Sequence, residues 1–530
     1  MANKAIQKGR QSNYVYDPEG NDSRNRGSTG SLNSGLSHRS IGSRDSAATD
    51  APLAGSPEGV GLKKQVGLVS GTSIIVGTMI GSGIFISPKG VTEGSGSVGL
   101  SLIIWSVCGI VSALGAISYA ELGTLIQRSG AEHSYLLKAF GPMGRLGALP
   151  AFLFSWIYCT LLKPASVAII VLAFSTYCLE PINPDCYTTL SARRCLSALC
   201  ILVLMLINCF SVRLATWVQM VFTCAKLLAL IIIIIGGFVK LGQGYTNNLA
   251  DGFSGTEGNV GKIAIGIYNG MWAYDGWNNL NYVTEEISNP TRNLPLSIMF
   301  GIPLVTVLYV LVNISYFTVM SASELLASPA VAITWGNKVL GVMWWIVPVF
   351  VACSTFSAAN GMLFSSGRLP YAAAREGHMV EILSMIHIKR ATPLPSLVFT
   401  CIISLIMIIP GDIEGLIDFF SFAVWLFYGL TMAALLILRY TMKDEPRPYK
   451  VPIIAPIFVL LVSCYLVVAP IIDEPRIEYL YAFLFVIAGL IFYFPFVHFQ
   501  KVLPGMDKFT TFLQLLMEVV PATDESELNG

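Results

Sequence analysis

The chain has 530 residues, of which 54% are hydrophobic and only 12% charged, and its net charge is +1 at pH 7. A soluble domain carries about 25% charged residues; with a mean hydropathy of +0.65 the soluble globular class is excluded, and near-neutral charge gives no argument for nucleic acid or an acidic partner. The sequence holds no HExxH, P-loop or GxSxG pattern, so no soluble-enzyme chemistry can be assigned to it.

The first sixty residues are polar and rich in glycine and serine, as in Ser28-Thr29-Gly30-Ser31-Leu32-Asn33-Ser34-Gly35, and contain no apolar run of a secretory signal. Such a stretch buries too little apolar area to offset its ordering entropy, so residues 1–60 are expected to be a disordered cytoplasmic tail. A membrane domain is expected over 61–500 and a cytoplasmic C-terminal segment over 501–530.

Twelve apolar runs of roughly spanning length follow. They lie near 66–87, 99–122, 144–177, 195–212, 216–239, 261–284, 296–320, 342–367, 393–410, 416–440, 451–472 and 478–498. The third is too long for one perpendicular crossing and is expected to tilt. With the N-terminus inside, the inner loops hold Lys63, Lys64, Arg128, Lys138, Arg145, Arg213, Arg292, Arg375, Lys389, Arg390, Lys443, Arg447 and Lys450. The outer loops hold only Lys89, Arg193, Arg194, Lys338 and Arg476, so the positive-inside rule puts both termini in the cytoplasm.

Spans one and six are interrupted, by Gly81-Ser82-Gly83 and by Tyr274-Asp275-Gly276-Trp277, and each opens a group of five. The expected fold is therefore an all-α membrane protein of twelve transmembrane helices, an inverted five-plus-five repeat with broken helices one and six and two extra C-terminal helices. Paired breaks of this kind point to a transporter binding site. An unwound turn frees backbone N–H groups that, with the positive end of the next half-helix, bind a carboxylate, and Ser82 adds a hydroxyl. Gly77-Thr78-Met79-Ile80-Gly81 is equally a GxxxG packing pattern. The break at 274–277 exposes carbonyls for an ammonium, so the two together describe an α-amino acid.

Asp275 supplies a fixed negative charge in the membrane, where a carboxylate costs about 2.5–3.5 kcal/mol and needs a cavity or a partner. It can read a cationic side chain or the amine; the alternative is an internal ion pair with Lys226 or Lys163. Trp272 is placed to cover a substrate by stacking on a cation, or is a core or lipid-facing aromatic. Lys226 can stand where other transporters hold sodium, or can snorkel to the interface.

Of the eleven cysteines, Cys108, Cys159, Cys200, Cys209, Cys224, Cys353, Cys401 and Cys464 lie in spans and are expected to be small buried hydrophobes, and Cys195 lies at a span end. Cys178 and Cys186 lie in the outer connection, on the oxidising side, where an internal bridge is one reading. Asn313-Ile314-Ser315 fits the glycosylation pattern but lies inside span seven. The five histidines do not cluster, and His378 and His387 are expected to be solvated in one basic loop. No cofactor or metal is expected.

Ile80-Gly81-Ser82-Gly83-Ile84-Phe85, Tyr119-Ala120-Glu121-Leu122-Gly123, Tyr282-Val283-Thr284-Glu285-Glu286 with Asn289-Pro290, and Arg375-Glu376-Gly377-His378 carry a family resemblance. Over roughly 62–522 the chain resembles the light subunits of heteromeric amino-acid transporters, in the amino acid–polyamine–organocation superfamily, whose fold is LeuT-like. It is most similar to the b-zero-plus type, through Trp272-Ala273-Tyr274-Asp275-Gly276-Trp277, Phe420-Ser421-Phe422-Ala423, Phe427-Tyr428-Gly429-Leu430 and Leu516-Met517-Glu518-Val519-Val520-Pro521. The resemblance implies a sodium-independent plasma-membrane antiporter, apical in epithelium. It would take up cationic amino acids (L-arginine, L-lysine, L-ornithine) and L-cystine against L-leucine and other neutral amino acids.

The resemblance implies substrate contacts from Met79, Ile80, Gly81, Ser82 and Gly83 and from Trp272, Tyr274, Asp275 and Gly276. Ser82 and Gly83 would meet the carboxylate, and the Met79 carbonyl and carbonyls near Trp272 the amine. Trp272 would be an outer gate, Asp275 the reader of cationic side chains and Lys226 the substitute for sodium. Cys186 would form an intermolecular disulfide with a single-span glycoprotein heavy subunit. The long tail departs from the family pattern. A proton-coupled symporter or uniporter, and a channel or receptor, remain the rival readings.

Overall fold

The computed structural model describes residues 64–521, apart from 145, 180–188, 251, 329, 410–412, 474–476 and 502–503. The expected disordered tail, Cys186 and the last nine residues lie outside the described residues.

Helix α1 (Leu68–Met79) stops at Ile80, whose ψ of 86° leaves the helical region, and α2 (Gly83–Ser95) restarts after Ser82 at a bend of 45°. Gly96, at φ +69°, ends α2 in a left-handed cap that favours glycine. The next helix, α3 (Val98–Leu125), begins at Ser97, whose hydroxyl accepts from Leu100 N at 3.3 Å. A short helix, α4 (Glu132–Phe140), leads to the long α5 (Leu149–Leu179).

Within α5 the turn Tyr158–Leu162 widens to π geometry, with the Lys163 amide donating to the Tyr158 carbonyl. Pro164 supplies the reason, since it has no amide and its ring would crowd the carbonyl one turn back. Then come α6 (Leu190–Phe210), α7 (Val212–Gly242) and α8 (Val260–Ala273). After the second break a tight 3-10 turn, α9 (Asn279–Glu286), leads into α10 (Pro290–Val319), which opens on a proline, where a missing amide costs least. The chain continues through α11 (Ile346–Ser366), α12 (Leu394–Met407), α13 (Ile413–Thr441), α14 (Ile454–Asp473), α15 (Ile477–Phe492) and α16 (Met506–Met517). Strand β1 (Met385–His387) pairs antiparallel with β2 (Val519–Pro521), His387 opposite Val519.

Among the described residues nine helices are long and apolar enough to cross a membrane, and the bent pair α1–α2 makes a tenth. The other two expected spans correspond to α8, cut short by its break, and to α12, each with 14 residues. The first span runs on to Ser95, well past the expected end near 87, because the helix restarts after its break. The main core is built from α1, α2, α3, α8 and α10, while Leu228, Ile231 and Ile235 on α7 are exposed, the outward apolar face that a lipid solvent requires.

Ion pairs stitch one end of the bundle. Glu121 on α3 is fully buried; Arg439 Nε (3.0 Å) and Nη2, Arg447 Nη1 (3.0 Å) and the Val451 amide (2.9 Å) all donate to it. Arg368 and Glu286 are both fully buried and joined by two bonds of 2.8 and 3.1 Å. Arg375 meets Glu285 at 3.0 Å, and Arg128 meets Glu376 at 2.8 Å.

The two histidines expected in solvent are buried. His378 Nδ1 lies 2.9 Å from His133 Nε2, with its ring edge-on to Phe152, and His387 is covered where β1 pairs with β2. The loop is folded back on α4 and α5, which the basic composition of the segment hid.

Replacing Arg368 by Met leaves the Glu286 carboxylate buried without its partner, and about 3–5 kcal/mol of stability should be lost. A large fall in the thermal midpoint of the purified variant is the expected readout; an unchanged midpoint would show that the pair is dispensable. Burial holds His378 down to about 4, and burial with His378 beside it holds His133 well below the usual imidazole range. Both are neutral when folded, whereas unfolded imidazoles protonate near about 6.5. Their contribution is therefore complete above that pH and is lost as pH falls towards 4. The thermal midpoint should drop between pH 7.5 and pH 5, and less so in His378→Gln.

Candidate functional site

The two breaks face each other. A Cβ on Gly83 would run into the Ala273 backbone, and a Cβ on Gly276 would lie 2.8 Å from Thr78 Cγ2. Gly276 also has φ +105°, which a side chain strongly disfavours. Glycine at these two positions lets the start of α2 approach the last residue of α8 and lets the second break approach Thr78 of α1. Gly77 and Gly81 serve close packing: a Cβ on Gly77 would strike Gln219 and Thr223 of α7, and one on Gly81 would lie 2.9 Å from Ala358 Cβ. The packing reading and the break therefore hold together in one motif.

The break at α1 sorts its backbone groups by direction. The Ile80 carbonyl accepts from Lys226 Nζ at 2.6 Å and from Ser354 Oγ at 3.2 Å. Lys226 Nζ also donates to the Gly77 carbonyl at 2.6 Å and the Ser354 carbonyl at 3.1 Å. Lys226 is fully buried, so it does not snorkel. The Met79 carbonyl accepts from the Gly81 amide at 2.9 Å and from Tyr309 Oη at 2.6 Å. The same hydroxyl lies 3.0 Å from the Ala273 carbonyl, so Tyr309 ties the last turns of α1 and α8 to each other. The amides of Ser82 and Gly83, at the positive end of α2, have no acceptor among the described residues.

At the second break Asp275 is partly exposed, its amide donating to the Trp272 carbonyl at 3.1 Å. Its carboxylate accepts from Tyr428 Oη at 3.3 Å, and no ion pair to Lys163 or Lys226 forms among the described residues. Lys163 instead donates to Asn279 Oδ1 at 2.9 Å and sits 4.3 Å over the Tyr282 ring. Trp272 is buried and packs edge-on against Phe420 of α13, ring centres 4.9 Å apart. Trp272, Asp275, Phe420, Ser421, Trp425 and Tyr428 line one narrow pocket. Tyr274 points elsewhere, its hydroxyl donating to the Trp105 carbonyl at 3.1 Å.

The structure thus brings Met79, Ile80, Gly81, Ser82 and Gly83 to one side of the break and Trp272, Asp275 and Gly276 to the other. It separates Lys226, behind α1, from the pocket. Sequence reasoning missed Tyr309 and the Lys163–Asn279 contact. A polar-tipped aromatic in an apolar span was the available signal for the first, and a lysine beside a proline for the second.

Two interrupted helices that approach each other inside a bundle of apolar spans, one with free amides and the other with a carboxylate, define the class of secondary transporters. The fold is shared with MhsT, solved in complex with L-phenylalanine, at a TM-score of 0.51 and 14% identity over 80% of this chain and 100% of that one. The chain belongs to the amino acid permease family, which matches residues 66–494, and is a multi-pass membrane protein. It is 52% identical to the human b(0,+)-type amino acid transporter 1 over 476 residues, 89% of this chain and 96% of the relative. It is 48% identical to the rat large neutral amino acids transporter small subunit 2 over 448 residues, 84% of this chain and 82% of the relative.

Tyr309→Phe should cost about 1 kcal/mol of stability, because the carbonyls of Met79 and Ala273 lose their shared donor. The check is the thermal midpoint of the detergent-purified protein. No change would mean that packing alone holds the two breaks together.

Proposed function

We propose that this chain is a sodium-independent antiporter that takes up cationic amino acids and cystine in exchange for intracellular neutral amino acids. The observation that carries the reading is the Asp275 carboxylate, unpaired by any lysine among the described residues and opening into an aromatic-lined pocket. The relatives named b(0,+)-type and large neutral amino acids transporters support an amino acid as the cargo.

In this reading the amides of Ser82 and Gly83 bind the substrate carboxylate, with the dipole of α2 behind them. The Met79 and Trp272 carbonyls, each already holding two donors, take the ammonium by sharing or exchanging one of them. Ile80, Gly81, Tyr274 and Gly276 shape the two breaks. Trp272, closed on Phe420, is the outer gate. Asp275 pairs with the guanidinium or ammonium of a dibasic side chain. Lys226 replaces sodium, because its ammonium already neutralises the carbonyls that an ion would coordinate, which removes the need for sodium coupling.

The bundle holding the two broken helices rocks against the rest to give alternating access. A cationic substrate entering against a neutral one gains about 2.3 kcal/mol per charge per 100 mV. Both termini are assigned to the cytoplasm of an apical plasma membrane. The transporter domain is assigned to 61–500. The partner is a single-span heavy subunit joined through Cys186.

Labelled arginine uptake into proteoliposomes, with leucine or nothing inside, tests this reading. Uptake should require internal leucine, and Asp275→Ala should lose arginine transport at least about tenfold while keeping leucine–leucine exchange. Uptake into empty vesicles that follows a proton gradient would overturn exchange in favour of proton coupling.

A further inference from the structure

Between the ends of α13 and α14 lies an open cleft of about 620 Å³, lined by Arg439, Lys443, Arg447, Lys450 and Ile453. Its floor is fixed: Glu121 holds Arg439 and Arg447 in place through the bonds described above, and Arg447 also donates to the Leu438 carbonyl at 2.8 Å. That carboxylate accepts from Arg439 through Nε and Nη2, which leaves the Nη1 donors of Arg439 without an acceptor among the described residues. At the rim, Lys443 and Lys450 are exposed and have no ion pair among the described residues. The single buried carboxylate cannot balance four cations, even with exposed Asp444 and Glu445 nearby.

A second feature distinguishes the cleft from an ordinary basic loop. Large apolar side chains flank the cations: Tyr440 is 86% exposed, Ile453 57% and Ile454 73%. They sit at the last turn of one spanning helix and the first turn of the next, at the depth where headgroups meet acyl chains. A soluble anion would be bound by the cations alone. A molecule with a phosphate and a hydrocarbon chain would cover both sets at once.

We infer that this cleft binds the phosphate headgroup of an anionic phospholipid, with Lys443, Lys450 and the free edge of Arg439 on the phosphate and Tyr440, Ile453 and Ile454 along its acyl chains. The leaflet is the one facing the basic loops, which rests on the cytoplasmic orientation proposed above. Tyr428, which donates to Asp275, lies on the same helix as Arg439, eleven positions earlier. A lipid seated in the cleft would therefore fix the end of a helix that lines the substrate pocket.

The test is direct binding, independent of any substrate. The full-length purified chain is titrated with headgroup-labelled phosphatidylinositol phosphate in neutral-lipid nanodiscs, alongside Lys443→Ala, Lys450→Ala and the double variant. Soluble inositol trisphosphate and inorganic phosphate serve as competitors. Saturable binding that weakens about fivefold for each lysine removed supports the site, provided the variants keep the parent's thermal midpoint. A tyrosine-sparing control, Ile453→Ser with Ile454→Ser, should also weaken binding of the lipid but not of soluble inositol trisphosphate. Equal binding by parent and double variant would overturn the proposal. Competition by inorganic phosphate at equal potency, with no effect of the isoleucine changes, would overturn the lipid and leave a free-phosphate site.

Discussion

A helix broken inside lipid frees backbone groups that water cannot reach, and each needs a partner in the protein or in a bound ligand. The rest of this structure is arranged around that requirement at residues 79–83. Lys226 meets part of it, donating from one buried ammonium to the Gly77 and Ile80 carbonyls and, on α11, to that of Ser354. The α7 face that delivers it carries Gln219, Thr223 and Lys226 at spacings of four and three, a polar stripe on an otherwise apolar span. Gln219 in turn accepts from Asn360 at 3.2 Å, and Asn360 accepts from Asn208 at 3.0 Å, so the polar groups form a connected set across three helices.

The two ends of the molecule are built differently. At the end that carries the basic loops, Glu121, Glu285, Glu286 and Glu376 each take an arginine from a distant part of the chain. At the other end, the pairs Lys262–Glu257 and Lys338–Glu324 are local and exposed, and exposed pairs contribute little. The pocket itself is narrowed by aromatic packing of Trp272 on Phe420.

Much of this was legible in the sequence. The Gly81-Ser82-Gly83 and Asp275-Gly276 interruptions stand out because charge and glycine are rare in spanning segments, and both proved to be breaks. Lys226 announced itself for the same reason. The partners of these groups were not legible. Nothing local tells that Tyr309 in α10 reaches two carbonyls from different helices, or that Lys163 turns to Asn279 and leaves Asp275 to Tyr428. Such pairings depend on how helices rotate against each other, which periodicity does not fix when all faces are apolar. His378 failed for the opposite reason: its neighbours are basic, so composition spoke for solvent, while a contact more than two hundred residues away in sequence buried it.

The widened turn at Tyr158–Leu162 has a consequence for how α5 faces its surroundings. Trp156 stacks outward on Phe485 and Phe492 of α15, while Lys163 points inward to Asn279. A π turn accommodates one residue more than the helix around it, and each residue of an α-helix turns the chain by about 100°. The extra residue is therefore a phase adjuster between a lipid-side anchor and a core cation. Closing this turn to α geometry at unchanged length would leave the span long enough to cross the membrane, yet it would swing the lysine out of the core or the tryptophan off its stack by about 100°. In this segment the reading frame of the helix, more than its length or hydrophobicity, is what the sequence must conserve to keep a working interior.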